Sequence, residues 1–297
     1  MRFLKGEMGL TQTSRKIYSY GFLLPAGIIY SVLFLLPTAM SFFFSLTRWT
    51  LTDWNFVGLD NYLTFFKESS LNIGFKNTFI YAFVTSGAKV ILGLLLGNFL
   101  CSAISSKDYL RSVVFFPNLL STIAVGVVFS SMMHPSLGII NKALGVIGIT
   151  GPDWLGNVNL ALLSVAFTDV WRGVGMATVI YIAGIMSIPQ QYYEALNIDG
   201  GNSRHRFFNL TLPLSRPAMN SVIILSFIGG LRSFDLVWTM TRGGPGFTTD
   251  LIASIIYKQY QAGFYGLSTA GNVILFIGVS LIAIPLFTFL NKSEVDL

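Results

Sequence analysis

Long, predominantly apolar stretches alternate with short polar segments along the whole chain. Each stretch exceeds the roughly 18 residues that a helix needs to cross a bilayer. A membrane β-barrel would instead show segments of about ten residues with alternating polarity. The pattern therefore predicts an all-α polytopic membrane protein with six transmembrane helices. The predicted spans are Tyr20–Leu46, Thr78–Ala103, Ser112–Met133, Leu160–Ile188, Pro217–Trp238 and Leu267–Leu290.

Basic residues concentrate in alternate loops. The N-terminal tail carries four basic residues and one acidic residue, and Lys107 and Arg111 follow the second span. Arg204, Arg206 and Arg216 follow the fourth span. The positive-inside rule places such loops in the cytoplasm. We therefore expect a multi-pass membrane protein with both termini in the cytoplasm.

The same topology divides the chain into one membrane domain with two tails. Residues 17–47 contain no charge, which is longer than the apolar core of a cleaved signal peptide, so we expect a retained first helix. We predict a cytoplasmic tail over 1–19, a transmembrane domain over 20–291 and a cytoplasmic tail over 292–297. Within the membrane domain, residues 190–216 form a polar cytoplasmic segment.

Composition agrees with a protein immersed in membrane lipid. Of 297 residues, 53% are hydrophobic and 11% are charged, against about 25% charged in soluble domains. The net charge of +6 sits in loops without a basic stripe, which does not favour a nucleic-acid partner. The single cysteine, Cys101, excludes an internal disulfide. His134 and His205 fall on opposite sides of the membrane, so we expect no metal site.

The polar segment is predicted to form two short helices around a glycine break. Pro189 can start a helix over residues 190–198, and Gly200 can end it because glycine reaches the left-handed conformation. Asn202 or Ser203 can cap a second helix. A partner subunit would cover its aromatic residues, whereas an interfacial loop lying on lipid is the alternative.

The residues of this segment resemble the EAA signature of permease subunits in binding-protein-dependent ABC importers. Glu194-Ala195-Leu196, Gly200 and Leu210 through Pro213 have the spacing of that signature. The chain departs from it at Leu196, where the family usually has alanine, and at Gly201, where the sugar branch often has alanine.

The resemblance implies a non-catalytic subunit with the ABC type I importer permease fold, located in the bacterial cytoplasmic (inner) membrane. In that family the EAA segment is a cytoplasmic coupling helix that sits in a groove of an ATPase subunit. The residues expected to couple to the ATPase are Glu194, Ala195, Leu196, Asp199, Gly200, Phe207, Leu210 and Pro213.

Further motifs extend the resemblance over most of residues 75–280 and towards the maltose-type or glycerol-phosphate-type carbohydrate branch. They are Arg111–Pro117, Gly138–Asn141, Asp153–Leu155, Thr241–Pro245 and Tyr257–Ala270. The branch implies a carbohydrate substrate, a second EAA-type permease, two cytoplasmic ATPase subunits and an extracytoplasmic solute-binding protein. The Gly243–Gly246 loop is either a docking surface for that binding protein or an ordinary tight turn.

Energy for active transport must come from outside this chain or from an ion gradient. The chain contains no GxxxxGK[ST] phosphate loop, so it cannot hydrolyse ATP by that route. The resemblance implies that ATP and Mg²⁺ are bound by the partner ATPase and that this chain holds no cofactor. A glycerol-phosphate permease remains the close alternative, and a secondary carrier driven by an ion gradient a more distant one.

Charged residues inside the predicted spans indicate a polar substrate path. A charge in a span costs roughly 2.5–3.5 kcal/mol on insertion scales and usually faces the bundle interior. Two interpretations are open for Asp169 and Arg172: sugar ligands, or a pair that neutralises itself. For Lys89 we favour structural pairing or snorkelling over a role in substrate binding. The candidate residues of the path are Asp169, Trp171, Arg172, Phe234, Asp235 and Trp238, and the aromatic ones can equally be packing residues.

Overall fold

The computed structural model describes residues 20–50, 52–102 and 104–292, which form a helical bundle with one small β-hairpin. The predicted N-terminal tail and all but Lys292 of the C-terminal tail lie outside the described residues. The helices are α1 (Gly21–Ser45), α2 (Asp60–Lys67), α3 (Ser69–Leu100), α4 (Lys107–Leu119), α5 (Thr122–Met132), α6 (Ile139–Val146), α7 (Ala161–Met186), α8 (Gln190–Ile198), α9 (Ser203–Leu214), α10 (Arg216–Leu231), α11 (Asp235–Met240), α12 (Ile252–Gln261) and α13 (Tyr265–Asn291).

Four of these helices, α1, α3, α7 and α13, are individually long and apolar enough to cross a membrane. Two further spans arise if each of two bent helix pairs counts as one. The pair α4–α5 is bent by 95°, and the pair α9–α10 by 65°. Six spans are therefore compatible with the structure, although the third is not a straight helix as the sequence pattern suggested.

Prolines account for several irregularities in the long helices. In α1, the π-helical stretch Ser31–Leu35 lies just before Pro37, and in α9 the π-helical stretch Arg206–Thr211 lies just before Pro213. Proline has no N–H and its ring displaces the carbonyl of the preceding turn. The wider π geometry accommodates that displacement without ending the helix.

The β-hairpin marks the end of the bundle opposite the polar segment. Strands β1 (Thr47–Trp49) and β2 (Trp54–Phe56) pair antiparallel directly after α1. The start of α13 packs against β1, while its last turn lies near α10, where Asn220 Nδ2 donates to the Leu290 carbonyl at 3.0 Å. We call the two ends the hairpin end and the EAA end.

The bundle core forms where α7 packs between α3, α4 and α10. Small residues allow close approach: a Cβ on Gly93 of α3 would lie 2.8 Å from that of Ala177 in α7. A Cβ on Gly230 of α10 would lie 2.6 Å from the Ala82 Cα in α3. Membrane helices that lack a hydrophobic driving force between them associate through such close contacts. The central helices therefore form a rigid frame for the polar residues between them.

Candidate functional site

A polar cavity of about 480 Å³ lies among α3, α7 and the break between α10 and α11. It collects charges from three separate parts of the chain. Its charged lining residues are Lys89, Asp169, Arg172, Arg232 and Asp235, and Asn118, Ser226 and Ser233 add polar groups. The sequence prediction that Asp169, Arg172, Phe234 and Asp235 lie together is consistent with this lining, whereas their role as substrate ligands stays a prediction.

Lys89 and Asp169 form an ion pair inside this cavity. Lys89 Nζ lies 2.9 Å from Asp169 Oδ2, and the two side chains are 11% and 15% exposed. Gly173, one turn further along α7, makes room for the lysine, since a Cβ there would lie 2.7 Å from Lys89 Cε. The structural pairing expected for Lys89 is thus present.

Arg172 does not neutralise Asp169, so that sequence interpretation was wrong. Its Nε donates to the Leu120 carbonyl at 3.3 Å instead. Leu120 lies in the bend between α4 and α5, where its extended backbone leaves the helical hydrogen-bond ladder. The three-residue spacing made an intrahelical pair reasonable, but Lys89 approaches from α3 and takes the carboxylate. Arg172 consequently fastens the α4–α5 bend to α7.

The fifth predicted span is broken at the cavity wall. α10 ends at Leu231, and α11 begins at Asp235 after three non-helical residues. The side chains of Arg232 and Asp235 make no ion pair or hydrogen bond with other residues in the described part of the chain. Both groups are therefore available to a solute in the cavity.

The predicted aromatic residues occupy different positions around this cavity. The Phe234 ring lines it. Trp238 stacks on Phe234 at 5.7 Å and contacts Tyr257 at 4.8 Å, outside the cavity lining. Trp171 is absent from that lining and packs against Phe129 with ring centroids 5.0 Å apart. Of the three, Phe234 has the geometry of a ring platform in the cavity, and Trp171 has that of a packing residue.

The EAA segment (residues 190–216) forms the predicted helix, turn and helix at the other site of interest. α8 spans Gln190–Ile198 as predicted, and Gly200 follows it with φ +75°. The Asn202 side chain accepts hydrogen bonds from the Arg204 and His205 amides, both at 3.0 Å, and so caps α9. The sequence signals for the helix start, stop and cap are thus confirmed.

The second helix of the segment, α9, continues past Pro213. Pro213 lies inside α9, which ends at Leu214. The helix tolerates this proline because the preceding π-helical stretch accommodates the loss of one backbone N–H. The sharp change of direction comes at Ser215, one residue before α10.

Contacts on the inner side hold the two EAA helices together and against the bundle. The Tyr193 hydroxyl lies 3.2 Å from Thr211 Oγ1, and the Arg206 guanidinium lies over the Tyr193 ring at 4.4 Å. Phe207 and Leu212 pack against the core around Tyr181. α8 and α9 are thereby joined into one unit with the membrane helices.

The residues predicted to couple to an ATPase divide into two groups. The first group, on the outer surface, comprises Glu194, Ala195, Asp199 and Gly200. The second group is half-buried and comprises Leu196, Phe207, Leu210 and Pro213. Ile198, which the sequence analysis did not select, is 87% exposed at the end of α8. No sequence signal distinguished it, because single apolar residues are common on protein surfaces.

A rigid loop follows α11 near the hairpin end. Asp250 is fully buried and pairs with Lys258 Nζ at 2.6 Å, while Asn77 Nδ2 donates to the Thr248 carbonyl at 2.8 Å. Arg242 and Phe247 have positive φ values of 52° and 69° and are exposed. The internal contacts thus hold a cation and an aromatic ring outward.

Comparison with known proteins identifies the family. The family described as "Binding-protein-dependent transport system inner membrane component" matches residues 72–293. This chain belongs to that family.

Relatives with full-length similarity agree with this assignment. The trehalose/maltose transport system permease protein MalF of Thermococcus litoralis is 32% identical over 260 residues, covering 87% of this chain and 88% of the relative. The multiple sugar-binding transport system permease protein MsmF of Streptococcus mutans is 28% identical over 97% of this chain and its own whole length.

A solved structure has the same fold. A chain of a bacterial ABC transporter involved in the import of the acidic polysaccharide alginate superposes with a TM-score of 0.83 at 20% identity, covering 95% of this chain and 98% of that chain. The predicted fold class, a type I importer permease, is therefore confirmed, and this chain is a non-catalytic permease subunit of an inner-membrane transport system.

The central cavity and the EAA segment are linked through α7. In the cavity, Arg232 and Asp235 have no ion pair within the described part of the chain, and Phe234 lies at the same helix break. The EAA segment offers an exposed helix at the end of α7, which itself carries Asp169 and Arg172. A single helix thus connects the two sites.

Proposed function

We propose that this permease subunit carries a carbohydrate, most simply an oligosaccharide, through the cavity between α7 and the α10–α11 break. The observation that carries the proposal is that Arg232 and Asp235, beside the Phe234 ring, make no side-chain ion pair or hydrogen bond within the described residues. Sugar hydroxyls hydrogen-bond to carboxylate and guanidinium groups, while the C–H faces of sugars stack on aromatic rings. The sugar-transport names of the relatives support the same substrate class.

The EAA segment is the proposed docking site of a cytoplasmic ATPase. Its outer surface offers the carboxylates of Glu194 and Asp199 around the apolar side chains of Ala195 and Ile198. Charged groups at the rim of an interface orient the partner, and a central apolar contact excludes water. ATP and Mg²⁺ would be bound by that subunit, and its closure would move α8.

The positive-inside rule supports a cytoplasmic position for the EAA segment and for both chain termini. The hairpin end would then face the extracytoplasmic side, where a solute-binding protein delivers the substrate. The loop around Arg242 and Phe247 is the proposed docking surface, since its internal contacts keep both side chains outward.

A second EAA-type permease is the proposed partner within the membrane. The first half of α1 is exposed along its length, with Phe22 at 77% and Leu33 at 72%. Only its later part packs on α13, through contacts such as Phe42 against Phe276. A second permease together with lipid would cover the remaining surface.

Purification and reconstitution test the proposal. The tagged chain, extracted from native membranes in mild detergent, should bring down a second permease and an ATPase. The assembled complex with its binding protein should hydrolyse ATP faster when oligosaccharides are added. Faster hydrolysis with glycerol 3-phosphate alone would favour the alternative in which Arg172 or Arg232 receives a phosphate. Ion-gradient-driven uptake by the isolated chain would overturn the ABC mechanism.

A further inference from the structure

A ladder of aromatic rings leads from the central cavity towards the hairpin end. It begins at Phe234 and continues through Tyr257, Tyr260, Tyr265 and Trp49, with centroid separations of 5.0, 6.2, 5.2 and 5.6 Å. Of these rings, only Phe234 is a candidate for the substrate path from the sequence. It is also the only one of them that lines the central cavity. The ladder crosses from the α10–α11 break over α12 to the start of α13 and the β-hairpin.

The first three rings of the ladder, Phe234, Tyr257 and Tyr260, line a groove that adjoins the central cavity. A groove of about 820 Å³ contains Phe234, Tyr257 and Tyr260 in its wall, together with polar Asn272. Arg232 and Phe234 line both the groove and the central cavity. The groove and the central cavity therefore meet at these two residues.

Polar groups along the groove make it unlike a simple lipid-facing surface. The hydroxyls of Tyr257 and Tyr260 and the amide of Asn272 make no side-chain hydrogen bond within the described part of the chain. Tyr260 is 54% exposed, so its ring and hydroxyl are accessible together. Rings with unused donors and acceptors match a ligand that presents apolar faces and hydroxyls along its length.

We infer that the groove-lining rings of this ladder, Phe234, Tyr257 and Tyr260, form an extended binding track for a linear oligosaccharide, with successive sugar units along these rings and the leading unit in the central cavity. The inference rests on the proposed carbohydrate function and adds chain length to it. The ring separations are similar to the length of one pyranose unit, and a monosaccharide would contact at most two of the rings. The track therefore contributes to the uptake of long chains and not to that of short ones.

The test compares chain lengths in the assembled importer in liposomes, with its binding protein. Maltodextrin, arabinan and alginate series are screened, and initial uptake of the disaccharide and hexasaccharide of the active series is measured. Tyr257→Ala and Tyr260→Ala should lower hexasaccharide uptake about two- to tenfold relative to disaccharide uptake, the range expected for losing one ring contact. Tyr260→Phe keeps the ring and should retain most of the preference.

Phe264→Ala is the matched control, because Phe264 is similarly exposed (58%), close in sequence, and outside the ladder. It should leave the length preference unchanged. Equal effects of the tyrosine variants on disaccharide and hexasaccharide uptake would overturn the track. So would loss of the second permease when these variants are purified, because that would assign the groove to a contact between subunits. If the wild-type importer takes up no saccharide of any length, the proposed carbohydrate function itself fails.

Discussion

Gly201 and Leu196, the two departures from the family signature, contact each other in the structure. A Cβ on Gly201 would lie 2.5 Å from Leu196 Cγ and 2.6 Å from its Cδ1. Carbon atoms normally pack at about 3.5–4.0 Å, so the Leu196 side chain occupies the space of an alanine methyl at position 201. Gly201 has no positive φ, and contact alone therefore opposes a side chain there.

The expected cost of Gly201→Ala follows from this overlap. Inserting a methyl group into filled space typically costs 1–3 kcal/mol. Leu196 is half-buried and can partly rotate outward, which favours the lower end, about 1 kcal/mol or a fivefold change in a docking equilibrium. Rotation would push the leucine towards the outer surface of α8, so we expect weaker coupling to the ATPase with normal membrane insertion.

A double-mutant cycle in the assembled importer tests this. Substrate-stimulated ATP hydrolysis should fall about fivefold in Gly201→Ala and recover most of its rate in Leu196→Ala/Gly201→Ala. Recovery would be incomplete because the Leu196 carbonyl also lies 2.9 Å from the added Cβ. Gly278→Ala, a helical glycine with open space around it, is the control. Additive effects of the two substitutions, or an unaffected Gly201→Ala variant, would refute the steric explanation.

Three further outcomes are expected. Gly200→Pro should abolish coupled transport with insertion intact, since proline cannot adopt φ +75°. The control Gly148→Pro, at φ +78° in another loop, should leave ATP hydrolysis stimulated by substrate. Equal loss in both variants would point to general misfolding. Lys89→Met should destabilise the purified complex by about 3 kcal/mol in thermal unfolding, the lower end of the range for a buried pair, because Asp169 is only 15% exposed and would lose its partner; Lys89→Met/Asp169→Asn should regain most of this. An unchanged melting temperature in the single variant would contradict the pairing. Arg172→Gln should loosen the α4–α5 bend and lower stimulated ATP hydrolysis, with co-purification of the partners unchanged; full activity would show that the bend needs no such contact.

Local signals in the sequence predicted local structure well. Pro189, Gly200 and Asn202 each act on the backbone within a few residues, and the helix, turn and cap of the EAA segment lie where these residues predict them. Features that depend on distant residues were not accessible. The partner of Asp169 is 80 positions away in α3, and only the packing of α3 on α7 beside Gly173 selects it over Arg172.

The break at Arg232–Phe234 was missed for a different reason. The residues on both sides of the break are apolar. Because hydropathy is averaged over a window much longer than three residues, the three non-helical positions do not interrupt the apolar signal. The closely spaced charges of Arg232 and Asp235 were the one sequence feature that could have indicated a break. Both residues were instead predicted to lie within an intact helix. The cavity wall therefore became visible only when the two half-helices were placed against α7.

The length of α7 has a mechanical consequence. The helix contains no proline and runs uninterrupted from Ala161 to Met186. Three residues, the last of which is Pro189, separate it from the start of α8. Asp169 lies 17 residues from Met186, or about 26 Å along the axis at 1.5 Å per residue. Rotation of such a rod by about 5° about one end would displace the other by about 2 Å, by the same helix geometry. A small angular movement imposed on α8 would thus shift the Lys89–Asp169 pair by a distance comparable to a hydrogen-bond length. In this way α7 would act as a lever arm between the membrane surface and the proposed solute path.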